Sequence, residues 1–332
     1  MNNKNLNYNK QPKVELHLHL DCSLSYKIVK QLKPSVTLKE YQKSFIAPAK
    51  CTDLADYINR AIKSIELMQT KEHLRLVTLD LFEQLKADNV IYAEIRFAPL
   101  QHTLEALSPE QVVEAVNKAT DEGIKKYGID AGIILCTLRH YTEEQSLKTV
   151  NLVNYYQGTH VVGFDIAADE AGFPIDNHIK AFQFAKNNHI NCTAHAGEAK
   201  GPESVWETLE NFHPSRIGHG VRSAENDKLL TFLKANNIHL EVCPTSNIQV
   251  NVFDKIENHP ADKIYNSGVS MSINTDCRTI SNVTLAKEYY LLQQIFNWNR
   301  LHFKKCNLEA IEHSFTTEDV KKKIKIQIEK AY

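Results

Sequence analysis

A handful of residues in this chain have the types and spacing for hydrolytic chemistry at a metal ion. Val14-Glu-Leu-His-Leu-His-Leu20 alternates apolar and polar residues with period two, which predicts a β-strand. Glu15, His17 and His19 then share one side, and Val14, Leu16, Leu18 and Leu20 the other. Two imidazoles two residues apart on a strand make a ready pair of metal ligands. Alone, the pattern also fits a strand with two hydrogen-bonded histidines. Four other residues raise the metal reading: His195, Glu198, His219 and Asp276. His17, His19 and His195 with the Asp276 carboxylate offer nitrogen and oxygen donors without thiolate, a set suited to one zinc ion, with other first-row metals possible. Such an ion makes water acidic enough to ionise near neutral pH. Glu198 follows His195 by three residues across a small Ala-Gly turn and can face a substrate as proton donor. His219, between Gly218 and Gly220, has room beside it for a ligand and can orient or deprotonate a water.

The elements that must position these groups form a regular series. Strands are predicted at 14–20, 90–97, 131–138, 161–167, 191–198, 216–220, 239–244 and 269–276. Helical patterns lie between them at 109–127, 143–156, 175–188, 202–212 and 226–236. A long helical insertion follows the first strand, with its clearest pieces at 53–68 and 71–88. Alternation of this kind predicts parallel strands with right-handed crossovers, and eight units predict an α/β fold closed as a (β/α)8 barrel. An open doubly wound sheet is the alternative, but no G-x-G-x-x-G follows any strand. Residues 1–11 read as a disordered extension and 12–332 as one metallohydrolase domain.

His17, His19, Arg96, Asp165, His195, Glu198, His219 and Asp276 all fall at or near the C-terminal ends of their strands. In a barrel these ends converge on one mouth, where active sites of the fold sit. Interior polar groups are costly unless paired or bound to metal, so the clustering favours a metal site. Asp165 reads as an interior ion-pair partner of Arg96, and Glu15 as a group behind the ligands or paired in the core. The other histidines, His73, His102, His140, His160, His178, His189, His213, His239, His259, His302 and His313, read as surface or loop residues. His239-Leu-Glu241 spells H-x-E, but no P-C-x-x-C follows, and H-E-x-x-H is absent.

The 332 residues are 42% hydrophobic and 24% charged, with net charge −1, so no basic field is available for nucleic acid. No apolar run is long enough to span a bilayer, and Met1 to Lys10 has no secretory h-region. Seven scattered cysteines with no C-x-x-C pair suggest reduced thiols and a cytoplasmic setting.

From about Pro12 to Phe315 the chain resembles the adenosine deaminase family. The motifs that carry the likeness are 14–21 (V-E-L-H-L-H-L-D), 92–99 (Y-A-E-I-R-F-A-P), 163–170 (G-F-D-I-A-A-D-E), 193–198 (T-A-H-A-G-E), 216–220 (R-I-G-H-G), 243–247 (C-P-T-S-N) and 274–276 (N-T-D). The resemblance implies one Zn2+ per chain and hydrolysis of the 6-amino group of a purine nucleoside, adenosine or 2′-deoxyadenosine, to inosine and ammonia. It implies that His17, His19, His195 and Asp276 hold the zinc. It makes Glu198 the proton carrier to purine N1 and His219 the base and electrostatic partner of the attacking water. Asp21 matches a contact to the ribose 5′-hydroxyl, and Tyr57 and Ile58 part of an apolar gate. Three positions depart from the family pattern: Cys22 where glycine is frequent, Ala168 where a glycine N–H meets the purine, and Cys277 where a second aspartate contacts N7. Related members act on adenine, aminofutalosine-type nucleosides or N6-methyl-AMP. A binuclear metallohydrolase would need a bridging lysine on the fourth strand, and 163–170 offers none. A noncatalytic purine-binding barrel would be expected to have lost Glu198 or a ligand.

Overall fold

The computed structural model describes residues 7–332. Eight strands form in the predicted order: β1 (Lys13–His19), β2 (Val90–Phe97), β3 (Asp130–Leu138), β4 (Val161–Ala167), β5 (Thr193–Ala196), β6 (Arg216–His219), β7 (His239–Val242) and β8 (Met271–Ile273). They pair in parallel as β1-β2-β3-β4 and β5-β6-β7-β8. Single bridges between Phe164 and Cys192 and between Leu18 and Asp276 join the two halves edge to edge. The fold is therefore a (β/α)8 barrel, which leaves no free strand edge.

The connecting helices follow their sequence signals. Pro109–Tyr127 starts on a Ser108–Gln111 capping box and ends on Gly128 at φ +68°. The insertion after β1 differs from the reading as one helix over 53–68. It is Leu54–Ile58, a 3-10 turn at Asn59–Ala61, then Ile62–Glu66, with Asp53 accepting from the Asp56 N–H as cap. The tighter turn keeps both Tyr57 and Ala61 buried against Cys22, Cys277 and Ile280.

After β8 the chain adds helices Leu285–Phe296, Arg300–His313 and Glu318–Ala331. Val14, Leu16 and Tyr92 pack against Ala310, Ile311, Ile324 and Ile328 from the last two. Asn307 accepts the Val14 N–H at 2.7 Å, and Tyr332 donates its hydroxyl to the Pro12 carbonyl at 3.2 Å. Arg216 lies 3.7 Å from the centre of the Phe315 ring. No helix among the described residues is long and apolar enough to cross a membrane.

Two expectations are corrected here. Residues 8–10, expected to be disordered, form a 3-10 turn, and Tyr8 is fully buried. Its ring meets Tyr290 at 4.8 Å and Phe303 at 5.0 Å edge-on, which an extended polar tail would not do. The rest of the expected extension, residues 1–6, lies outside the described residues. Second, His102, His178, His239 and His259 are buried, not on the surface. His178 bonds Ser146 Oγ and the Arg139 carbonyl, and His239 bonds Ser270 and Ser272 Oγ, while His102 bonds the Met68 carbonyl through Nδ1 alone.

Tyr8→Ala should lower the unfolding free energy by about 3 kcal/mol through loss of its buried aromatic contacts. Urea unfolding measures this, and a shift below 0.5 kcal/mol, roughly the scale of an exposed-site change, would show that the segment is not docked in solution.

Candidate active site

Three imidazoles and a carboxylate meet at the mouth of the barrel. The ligating atoms of His17, His19 and His195 all lie within 4.8 Å of one another. His19 Nε2 is 3.3 Å from His195 Nε2, and Asp276 Oδ1 is 3.4 Å from His19 Nε2 and 3.5 Å from His17 Nε2. Strand geometry explains part of this: His17 and His19 share one side of β1, and the β1–β8 bridge brings Asp276 alongside. Gly218 explains more. A Cβ there would sit 3.0 Å from His17 Cε1 and 3.2 Å from His195, so the bare backbone of β6 makes room for the two rings.

The groups behind the rings decide which nitrogen faces inward. His17 Nδ1 is 2.8 Å from Glu241 Oε2, and His195 Nδ1 is 3.1 Å from Asp165 Oδ2. These carboxylates take the Nδ1 hydrogens and leave the Nε2 lone pairs pointing at each other. Arg96 ties the two carboxylates together, 2.8 Å from Asp165 and 2.7 Å from Glu241. Arg216 flanks Glu241 at 2.7 Å from its other oxygen. Asp165 is thus the partner of Arg96, as expected, and also of His195. Glu15 pairs in the core with Arg278 at 2.7 Å.

The donor set fits a divalent metal ion. His17 Nε2 is buried and makes no hydrogen bond, and it faces His19, His195 and Asp276. Converging lone pairs of this kind are costly without a cation among them. Burial holds His19 and His219 well below the usual imidazole range, so both are neutral, the form in which imidazole binds metal. Cys243 Sγ also lies near His17 and His219, but burial pushes its thiol well above the usual range.

Glu198 and His219 stand beside this cluster, with His219 Nδ1 3.5 Å from Glu198 Oε1. Burial, then the Asp276 and Glu170 carboxylates, push the Glu198 carboxyl well above the usual range. A carboxyl held up in this way favours its protonated form, the form that can donate a proton. Its position is fixed by Glu170, whose two oxygens accept the backbone N–H groups of Gly197, Glu198, Ala199 and Lys200 at 2.6–3.0 Å. Gly197, at φ +66°, makes the turn.

A cavity opens over these groups. Asp21, Tyr57, Ile58, Ala168 and Cys277, expected from the family resemblance to meet substrate, all line it with His19, His195, Glu198, His219 and Asp276. His17 lies behind, fully buried. Burial pushes Asp21 up to about 6. Tyr57 Oη is 2.6 Å from Ser281 Oγ. Ala168 adopts φ +78°, the left-handed region where glycine is the residue of least strain. Cys22 and Cys277 line the cavity wall, where the Cys22 thiol donates to Asp21 Oδ1 at 3.7 Å and the Cys277 thiol to Asp276 Oδ1 at 3.6 Å.

Sequence reasoning missed several contributors. Glu241 was weighed only as part of H-x-E, although its place on β7 aims it into the barrel beneath His17. Glu170, Ser246 and Asn247 were visible only as letters of motifs. Ser246 donates to Asp276 Oδ2 at 2.7 Å, and Asn247 reaches His219 and Glu198. No local signal marks His259.

Comparison with known proteins bears directly on this site. The family model for adenosine deaminase matches residues 12–331. The adenosine deaminase of Clostridium acetobutylicum is 38% identical over 317 residues, covering 93% of this chain and 95% of that protein. The adenosine deaminase of Enterococcus faecalis is 33% identical over 327 residues, covering 97% of each. Among solved structures, adenine deaminase from Arthrobacter aurescens superposes with TM-score 0.88 at 23% identity, over 96% of this chain and 98% of that one. The N6-methyl-AMP deaminase of Arabidopsis thaliana does so with TM-score 0.85 at 24% identity, over 98% of each. These two share the barrel. With a family match over nearly its whole length, the chain belongs to the adenosine deaminase family of hydrolases.

Proposed function

We propose that this protein hydrolyses adenosine and 2′-deoxyadenosine to inosine or 2′-deoxyinosine and ammonia, with one zinc ion per chain. The observation that carries the reading is the joining, in one cavity, of a three-histidine and aspartate donor set with the buried Glu198 carboxyl beside His219. His17, His19, His195 and Asp276 hold the ion, which supplies the Lewis acidity that makes water nucleophilic near neutral pH. The rest is done by this chain's side chains. Glu198 places its proton at purine N1, drawing electron density from C6 as the water attacks there. His219 orients that water. Asp21 meets the ribose, and Tyr57 and Ile58 cover the base and exclude solvent. Of the two protons the water gives up, one goes to the amino group, which leaves as ammonia, and the other restores the Glu198 carboxyl. The relatives of 33–38% identity that bear the name adenosine deaminase support adenosine as the substrate.

A second reading, another 6-aminopurine, is favoured by one observation: the cavity is lined by Cys22 and Cys277, where a glycine and an aspartate respectively are frequent in the family. A thiol is a weak donor toward N7. Rates of ammonia release from adenosine, 2′-deoxyadenosine, adenine and N6-methyl-AMP, by the zinc-loaded protein, decide between the readings. Adenosine should give the highest kcat/KM, a chelator should abolish turnover, and elemental analysis should find one zinc per chain. Faster turnover of another substrate would overturn the substrate, and two required ions would overturn the mononuclear site.

Glu198→Gln should keep zinc and fold but lose about 10²–10⁴-fold in kcat, because an amide cannot deliver the proton. Near-normal kcat would place the proton elsewhere.

Ala168→Gly should relieve the left-handed strain at φ +78° and raise stability by about 1 kcal/mol. It should also lower KM for adenosine, since the methyl group stands in the cavity wall. Thermal unfolding and initial rates test the two effects separately.

A further inference from the structure

Behind the cavity a short hydrogen-bond chain runs from a backbone amide to the two groups that flank the metal-binding cluster. The Ala261 N–H donates to His259 Nδ1 at 3.2 Å. A backbone N–H cannot reverse its role, so His259 Nδ1 is the acceptor and carries no hydrogen. His259 is buried, and burial pushes it down to about 3, so it is neutral and its one ring hydrogen is on Nε2. That hydrogen points to Asn247 Oδ1, 3.2 Å away. Asn247 is fully buried at the fourth position of helix Pro244–Gln249 and has no freedom to flip, because a flip would set its NH2 against the His259 N–H. Its Nδ2 therefore faces His219 Nδ1 at 3.1 Å and Glu198 Oε1 at 3.5 Å.

The consequence falls on His219. Asn247 Nδ2 is a donor only, so His219 Nδ1 must be the acceptor and the hydrogen of the neutral ring sits on Nε2. His219 holds this posture at φ +59°, in the left-handed region, where a side chain with a Cβ stays only when its surroundings fix it. We infer that His259 and Asn247 are positioning residues, which lock His219 as the Nε2–H tautomer and anchor the Glu198 carboxyl beside it. His219 then meets the reacting oxygen as a hydrogen-bond donor. It is not the proton acceptor that the family resemblance implies, because its one basic lone pair is already engaged by Asn247.

This inference rests on the proposed reaction for its catalytic meaning, but the tautomer itself can be read without turnover. In zinc-loaded protein carrying 15N-labelled histidine rings, the His219 signals are identified by their loss in His219→Gln. We expect Nδ1 without hydrogen and Nε2 with it. A hydrogen on His219 Nδ1, in the neutral or the charged ring, overturns the inference even if adenosine is deaminated. Failure of deamination with the expected tautomer leaves the relay standing and removes the substrate assignment instead.

Two variants add a functional readout. Asn247→Asp offers His219 an acceptor only and should draw the hydrogen onto Nδ1, with kcat reduced about 10–100-fold and zinc retained. His259→Gln keeps an N–H donor toward Asn247 and should retain more kcat than His259→Leu, with equal zinc and equal KM. Equal losses in Gln and Leu variants that match in melting temperature would reduce His259 to a packing role and overturn its part in the relay. Should the Asn247 variant fail to fold, the wild-type spectrum alone still decides the tautomer.

Discussion

The site depends on a buried cation that the chain itself supplies. Arg96 lies in the barrel interior and bridges Asp165 and Glu241, each of which holds one histidine of the mouth cluster by its Nδ1. Removing charge from water is expensive, and two carboxylates close together inside a protein would repel and take up protons. Arg96 and Arg216 prevent this. They keep Glu241 ionised and well below the usual carboxylate range, against its burial. A carboxylate kept charged accepts from imidazole Nδ1 and so fixes the Nε2 lone pair inward. The geometry of the mouth is thus set by pairing in the layer beneath it.

The sequence made the barrel legible because its signal is long-range and repetitive. Strands of parallel sheets buried on both faces read as apolar runs, and the polar residues at their ends stand out against them. The same contrast marked His17, His19, His195, His219 and Asp276, and the structure brings them together. What stayed hidden are residues whose meaning lies in a partner far along the chain. Glu170 sits beside 197–200, Asn247 beside 219, and Glu241 beside 17. Buried histidines were misread for the same reason: an imidazole is at home in a core when its two nitrogens find partners, and His178 and His239 find theirs at separations of more than thirty residues.

Part of the backbone strain falls at the mouth. Ala168, His219 and Asp276 all lie at positive φ, and each lines the cavity. Residues other than glycine adopt that region at a cost of roughly 1–2 kcal/mol each, and only where surroundings over-determine them. At Asp276 the surroundings are the bridge to β1 and the Ser246 hydroxyl. At His219 they include the β5–β6 pairing and Asn247. Sequence periodicity carries no sign of φ, so this strain was invisible until the backbone was seen.

The docking of the first strand against the last helices bears on how the chain acquires its shape during synthesis. β1 emerges first, yet its edge is bridged at Asp276, its Val14 N–H is accepted by Asn307, and Tyr8 packs on Tyr289, Tyr290 and Phe303. None of these partners exists while the ribosome is still translating the first half. The two histidines of β1 must therefore wait, on a strand open along the edge away from β2, for the final quarter of the message. Contacts of such high sequence separation slow closure and lengthen the interval of exposure to aggregation. A nascent chain halted before residue 276 would hold all eight strands and the three histidines of the mouth, yet lack the Asp276 bridge and the helices that pack on β1.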